Sequence, residues 1–197
     1  MSALPISKLT VGQYLAIERA AAFKSEFYRG EMFAMAGASH LHNRTKENLI
    51  GEMFSQLKGG PCRSLSSDQR VKVSASGLYT YPDIVIVCGK AEFDPDDRDT
   101  LINPQVIFEI LSKSTENYDR GKKFEHYQKI ASLREYVLVS QDQMRIDRYV
   151  RQSDNEWILT VFADQAAEFT LATVAVRMPM RDIFAGVEFE PPEAEAP

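Results

Sequence analysis

No stretch of this chain stays apolar for anything near the roughly 18 residues that a membrane-spanning helix requires. Its first residues, MSALPISKLT, have neither a charged leader nor an apolar core. No signal peptide is therefore expected, and the cytoplasm is the expected location. Cysteine is scarce. Cys62 and Cys88 form no CxxC pair, and none of the three histidines stands at zinc-ligand spacing from them. Both lie in apolar, strand-like stretches and are expected as buried, reduced thiols. There is no basic excess either: 23 Lys and Arg stand against 28 Asp and Glu, a net charge of −5. That balance argues against a broad nucleic-acid-binding face. It leaves room for a local basic cleft, and for a carboxylate site that gains positive charge once a cation is bound.

Three further motifs are missing. Gly59-Gly60-Pro61 is followed by no GK[ST] and reads as a turn rather than a phosphate loop. The acidic run from Glu92 to Asp99 lacks the glycine of an EF-hand and contains Pro95, so it reads as a solvated loop. No internal repeat is visible.

What is present suits a single domain over residues 1–187, with residues 188–197 an acidic tail expected to be disordered. A helix is expected from Val11 to Phe23, capped by Thr10 with Gln13 completing a capping box. A hairpin follows, Ser25 to Tyr28 and Glu31 to Met35, turning at Arg29-Gly30. Ser39 caps a second helix reaching Lys58. Strands are expected at Cys62–Leu65, Gln69–Val73, Ile84–Val87 and Val106–Leu111. A helix is expected at Asn117–Ile130, then strands at Tyr136–Val139, Arg145–Arg151, Glu156–Phe162 and Thr173–Val176. A short helix at Met180–Phe184 closes the chain. This order predicts a mixed α/β (α+β) fold. A central mixed β-sheet is flanked by helices, with an N-terminal helix–hairpin–helix extension and a C-terminal β meander.

The chemistry concentrates between Tyr81 and Tyr136. Asp83 opens one continuous apolar strand, and Glu109 sits inside another between Phe108 and Ile110. A carboxylate in such a place is costly unless it is paired, protonated or bound to a cation. Two on neighbouring strands point to a shared hard cation, Mg²⁺ or Mn²⁺. Leu111 stands two residues after Glu109 on the same strand face. The following helix offers Lys123, four residues after Asp119 and on its face, with Lys122 as the rival. Arg70 and Lys72 could face a phosphate backbone, but alternation along an edge strand explains them equally. His40 and His126 read as surface or boundary residues.

The stretches SEFYRGEMFAMAGASHLHN, YPDIVIVCG and NPQVIFEILSKSTENYDRGKKFEHYQKIASLREYVLV, with the strand from Arg145 to Tyr149, resemble the Uma family of restriction-endonuclease-like proteins. This family is a bacterial branch of the PD-(D/E)xK nuclease superfamily. The resemblance implies a restriction-endonuclease-like core and metal-dependent hydrolysis of phosphodiesters, with DNA as substrate and a homodimer as the working form. It implies Asp83 and Glu109 as metal ligands and Glu26 as a third. Lys123 would be a lysine relocated from the position of Leu111, with Asp119 holding it. His42 would touch phosphate or orient a ligand. The competing reading is a nuclease fold that no longer cuts and serves as a nucleic-acid-binding or interaction module. An enzyme acting on RNA or on a small phosphoester is a third.

Overall fold

The computed structural model describes residues 8–189. The first helix, α1 (Val11–Ala20), starts with the anticipated capping box. Thr10 Oγ1 accepts from Gln13 N, and Gln13 Oε1 accepts from Thr10 N at 2.9 Å. It stops three residues short of Phe23. β1 (Ser25–Tyr28) and β2 (Glu31–Ala34) form the hairpin. Arg29 and Gly30 have φ of 51° and 86°, the left-handed pair that a tight two-residue turn needs. A Cβ on Gly30 would meet Lys8 Cβ at 2.5 Å, so the turn excludes larger residues on two counts. α2 (His40–Leu57) begins where Ser39 Oγ accepts from His42 N, and it buries Thr45, Leu49, Met53 and Leu57 along one stripe.

The remaining elements are β3 (Cys62–Ser66), β4 (Arg70–Val73), β5 (Leu78–Thr80), β6 (Ile84–Cys88), β7 (Phe93–Asp94), β8 (Asp97–Leu101) and β9 (Val106–Leu111). After them come α3 (Glu116–Tyr118), a π-helical turn (Asp119–Lys123), α4 (Phe124–Tyr127), β10 (Glu135–Ser140), β11 (Ile146–Ser153), β12 (Glu156–Phe162), β13 (Glu168–Thr170), β14 (Arg177–Pro179) and α5 (Met180–Ile183). Two six-stranded mixed sheets result. The first runs β2-β1-β5-β4-β8-β7 and the second β12-β11-β10-β9-β6-β3. In the second sheet only the central β9–β10 pair is parallel, bridged by the α3–α4 helical crossover.

That second sheet is covered on both faces, which is why its inner strands read as unbroken apolar runs. Ile84, Ile86, Phe108 and Ile110 pack against Leu49 and Met53 of α2 and against the C-terminal segment. Val85, Ile107, Leu111 and Leu138 turn the other way. They meet Val71, Val73 and Leu101 of the first sheet and Tyr127 of α4.

Several expectations are corrected. The acidic loop is a hairpin, β7–β8, and two of its carboxylates are buried because they partner the cations of β4. Arg70 pairs with Asp97 and also donates to Thr100 Oγ1 and Tyr81 Oη, each at 2.8 Å. Lys72 Nζ lies 2.8 Å from Asp94 Oδ2. β4 lies between β5 and β8, so these cations serve the interior rather than an edge or a phosphate backbone. Cys62 and Cys88 are directly opposed in the β3–β6 register and are joined as a disulfide, not reduced thiols. Thr173–Val176 is no strand; the pairing falls on β13 and β14 to either side. The helix after β9 is interrupted by the π-turn and ends at Tyr127 instead of Ile130. Of the expected disordered tail, residues 190–197 lie outside the described part of the chain. No helix of the described residues is long and apolar enough to cross a membrane.

Candidate active site

The β6–β9 register builds the floor of a cleft of about 750 Å³. Ile84 pairs with Phe108 in antiparallel sense. One residue further along that count, Asp83 stands beside Glu109. Asp83 lies just before β6, after Pro82, and its Oδ2 accepts from Ile110 N at 2.8 Å and contacts His42 Nε2 at 3.1 Å. Burial works against its charge. The His42 contact, the Ile110 N–H and the Lys123 charge outweigh it and hold the carboxyl below the ordinary value.

Glu109 is 3% exposed. Its Oε1 accepts from Tyr127 Oη at 2.7 Å and lies 2.9 Å from Lys123 Nζ. Burial pushes its pKa up to about 8; the Lys123 charge opposes this, and the Asp119 and Asp83 charges add to it. Lys123 is equally enclosed. Burial would favour the neutral amine, but Glu109, Asp119 at 3.3 Å and Glu26 at 3.6 Å keep it firmly protonated. Burial also raises Asp119. Glu26 arrives from β1, accepting from Thr80 Oγ1 and from Tyr118 Oη at 3.1 Å.

All five residues singled out in the sequence, Glu26, His42, Asp83, Glu109 and Lys123, thus line one cleft together with Asp119. Lys122 does not: it points to solvent from the far side of the π-turn. Leu111, the position from which the resemblance implies the lysine is relocated, is buried against the first sheet. His40 is exposed, and His126 packs edge-on against Tyr28. Three contributors escaped sequence reasoning. Tyr127, Tyr118 and Thr80 hold the carboxylates in place, and Tyr127 carried the one available signal, a position one turn beyond Lys123.

Among the described residues, no three His, Cys, Asp or Glu side chains converge as a ready-made metal cage. Glu26 has both oxygens engaged by Thr80 and Tyr118. Asp83 and Glu109, however, each have one oxygen engaged, and Asp83 Oδ1 and Glu109 Oε2 have no hydrogen-bond partner among the described residues. Two carboxylates suit Mg²⁺, which keeps most of its own waters and takes few protein ligands.

Residues 11–180 match the Uma2 family, described as "Putative restriction endonuclease". The chain belongs to the Uma2 family. Two uncharacterised proteins of Synechocystis sp. (strain PCC 6803) are similar to this Uma2 protein over nearly their whole lengths. One, sll1609, is 33% identical over 168 residues, covering 85% of this chain and 95% of its own. The other, slr1290, is 32% identical over 189 residues, covering 94% and 96%. A crystal structure described as a putative nuclease belonging to DUF820, from Anabaena variabilis ATCC 29413, superposes with a TM-score of 0.72. At 19% identity, covering 89% of this chain and 97% of that one, it shows that the Uma2 chain has a nuclease-like fold.

Proposed function

We propose that this Uma2 protein is a Mg²⁺- or Mn²⁺-dependent endonuclease that hydrolyses phosphodiester bonds of DNA. One observation carries the reading: Asp83, just before β6, is bonded to the backbone of β9 beside Glu109, with a buried lysine 2.9 Å from Glu109. A binding module gains nothing from burying two acids and an ammonium together, since each ion costs several kcal/mol to desolvate.

In this reading Asp83 and Glu109 hold the cation through their unengaged oxygens, and Glu26 completes the cluster by anchoring Lys123 and Tyr118. The cation, when bound, polarises the scissile phosphate and acidifies an attacking water. Lys123 presents a fixed positive charge where negative charge grows on the phosphorane. Asp119 and Tyr127 keep that ammonium and the Glu109 carboxylate in place. His42, on the opposite wall, orients Asp83.

Calorimetric titration of Mg²⁺ and Mn²⁺ into wild type and Asp83→Ala tests the site. Binding in wild type that disappears in the variant, with divalent-dependent cutting of DNA lost in parallel, is the expected result. Cutting that survives Asp83→Ala or Glu109→Ala refutes it. Wild type that binds neither cation and cuts nothing supports the inactive-module reading instead.

The working form is proposed to be a homodimer. β12 is the outermost strand of the second sheet and exposes Leu159 and Val161 on one face and Ile158 on the other, an apolar edge suited to a second copy. A monomer in gel filtration at micromolar concentration would sink that part.

A further inference from the structure

The cleft has an aromatic rim that phosphodiester hydrolysis itself does not use. Phe33 is paired with Glu26 across the β1–β2 hairpin, and directly opposed residues of antiparallel strands project from the same face. The ring therefore shares the face that delivers Glu26 to the site. Glu26 is buried, yet Phe33 is 48% exposed. Phe23, 62% exposed, lines the same cleft. The two segments are tied together where Met35 N donates to Lys24 O at 2.9 Å. Neither ring serves the core, and both line the cleft with much of their surface exposed.

The cations of the cleft are few and grouped. Among the described residues, Lys24, Lys46 and Lys123 are the only lysines or arginines lining it. Lys46 lies one turn after His42 on α2 and so shares its face. Its Nζ donates to Ser67 Oγ at 3.2 Å, and Lys24 Nζ donates to Ser67 O at 2.8 Å. Ser67 thus accepts from two ammonium groups of the lining, and Lys24 also pairs with the exposed Asp68 at 3.2 Å.

A duplex is bound mainly through many phosphates on two backbones, which calls for an extended basic surface. This chain has a net charge of −5 and a two-lysine wall. A single strand presents one backbone and unpaired bases, and it is bound by a narrow line of cations beside exposed aromatic rings. We propose that the cleft takes single-stranded DNA, with bases stacked on Phe33 and Phe23 and the backbone held by Lys24 and Lys46 on its way to Asp83 and Glu109. The proposal rests on the nuclease reading of the same site, and it narrows the substrate to unpaired DNA or to ends and junctions where the strands part.

The test is equilibrium binding by fluorescence anisotropy, with the full chain in EDTA so that no cutting occurs. The probes are a labelled short oligodeoxythymidylate, the matching oligouridylate and a DNA duplex of equal length. The expected result is that the DNA single strand binds about tenfold tighter than the duplex, and that Phe33→Ala and Phe23→Ala each weaken it by about tenfold. Phe33→Trp restores the affinity, which separates stacking from loss of fold. Duplex binding as tight as single-strand binding overturns the proposal. So does unchanged affinity in both alanine variants, or preference for the ribo-oligomer. A chain that binds the single strand through Phe33 but never cuts it fails the nuclease reading and leaves this assignment standing. A chain that cuts through Asp83 and Glu109 but prefers duplex does the reverse.

Discussion

Lys123 Nζ lies 2.9 Å from Glu109 Oε1, and this contact joins the crossover helix to the middle of the second sheet. Both side chains are buried, so the pair exists because each offsets the other's desolvation. Lys123→Met leaves Glu109 and Asp119 buried without their cation. It should destabilise the fold by about 3–5 kcal/mol in urea denaturation and abolish cutting. Lys122→Met, on the exposed side of the same turn, should change stability by less than about 0.5 kcal/mol and leave cutting intact. Equal effects of the two substitutions would reverse the assignment of the lysine.

His42 contacts Asp83 at 3.1 Å, and among the described residues its Nδ1 has no partner. A group that orients a ligand from outside commonly changes metal affinity by about 10–100-fold. His42→Ala should weaken Mn²⁺ binding by that order in calorimetry while leaving the thermal midpoint nearly unchanged. Unchanged affinity would reduce His42 to a neighbour.

The Arg70–Asp97 pair sets an acid limit on the fold. Asp97 is 2% exposed. Burial opposes its charge, but Thr100, Arg70 and Arg19 prevail and hold its pKa down to about 2. A carboxylate depressed on folding contributes stability that is complete above its unfolded pKa and is lost as pH falls through its folded one. The contribution here, on the order of 2 kcal/mol, should persist above about pH 4 and vanish between there and about pH 2. Asp97→Asn should remove that step from an acid-denaturation series.

Cys62 and Cys88, opposed in register, close a loop of 26 residues. Denatured but unreduced protein should show no thiol to a colorimetric thiol reagent. Reduction should cost about 2–4 kcal/mol of stability. Two titratable thiols would restore the reduced pair expected from the sequence.

The sequence makes some of this architecture legible and hides the rest for physical reasons. The runs at Ile84–Cys88 and Val106–Leu111 announce strands covered on both faces, and so mark Asp83 at the entry of the first and Glu109 inside the second as anomalies. Thr10 and Ser39 announce helix starts because capping is local chemistry. Pairing partners distant in the chain carry no local mark. Asp94 and Asp97 look like loop acids until Lys72 and Arg70 are brought alongside. Cys62 and Cys88 look like separate thiols until β3 and β6 pair. The π-turn is likewise silent in a helical pattern, and nothing local tells that the hydroxyls of Tyr127 and Tyr118 hold Glu109 and Glu26.

The lysine's place on a helix has a mechanical consequence. Where the reactive groups share a strand, backbone geometry alone sets their spacing. Here the distance from Lys123 to Glu109 is fixed by the stack of Phe124, Tyr127, Tyr136 and Tyr149 that seats the helix on the sheet. The aromatic stack therefore acts as the ruler of the site, and a substitution that thins it would be read out as slower chemistry before any loss of fold.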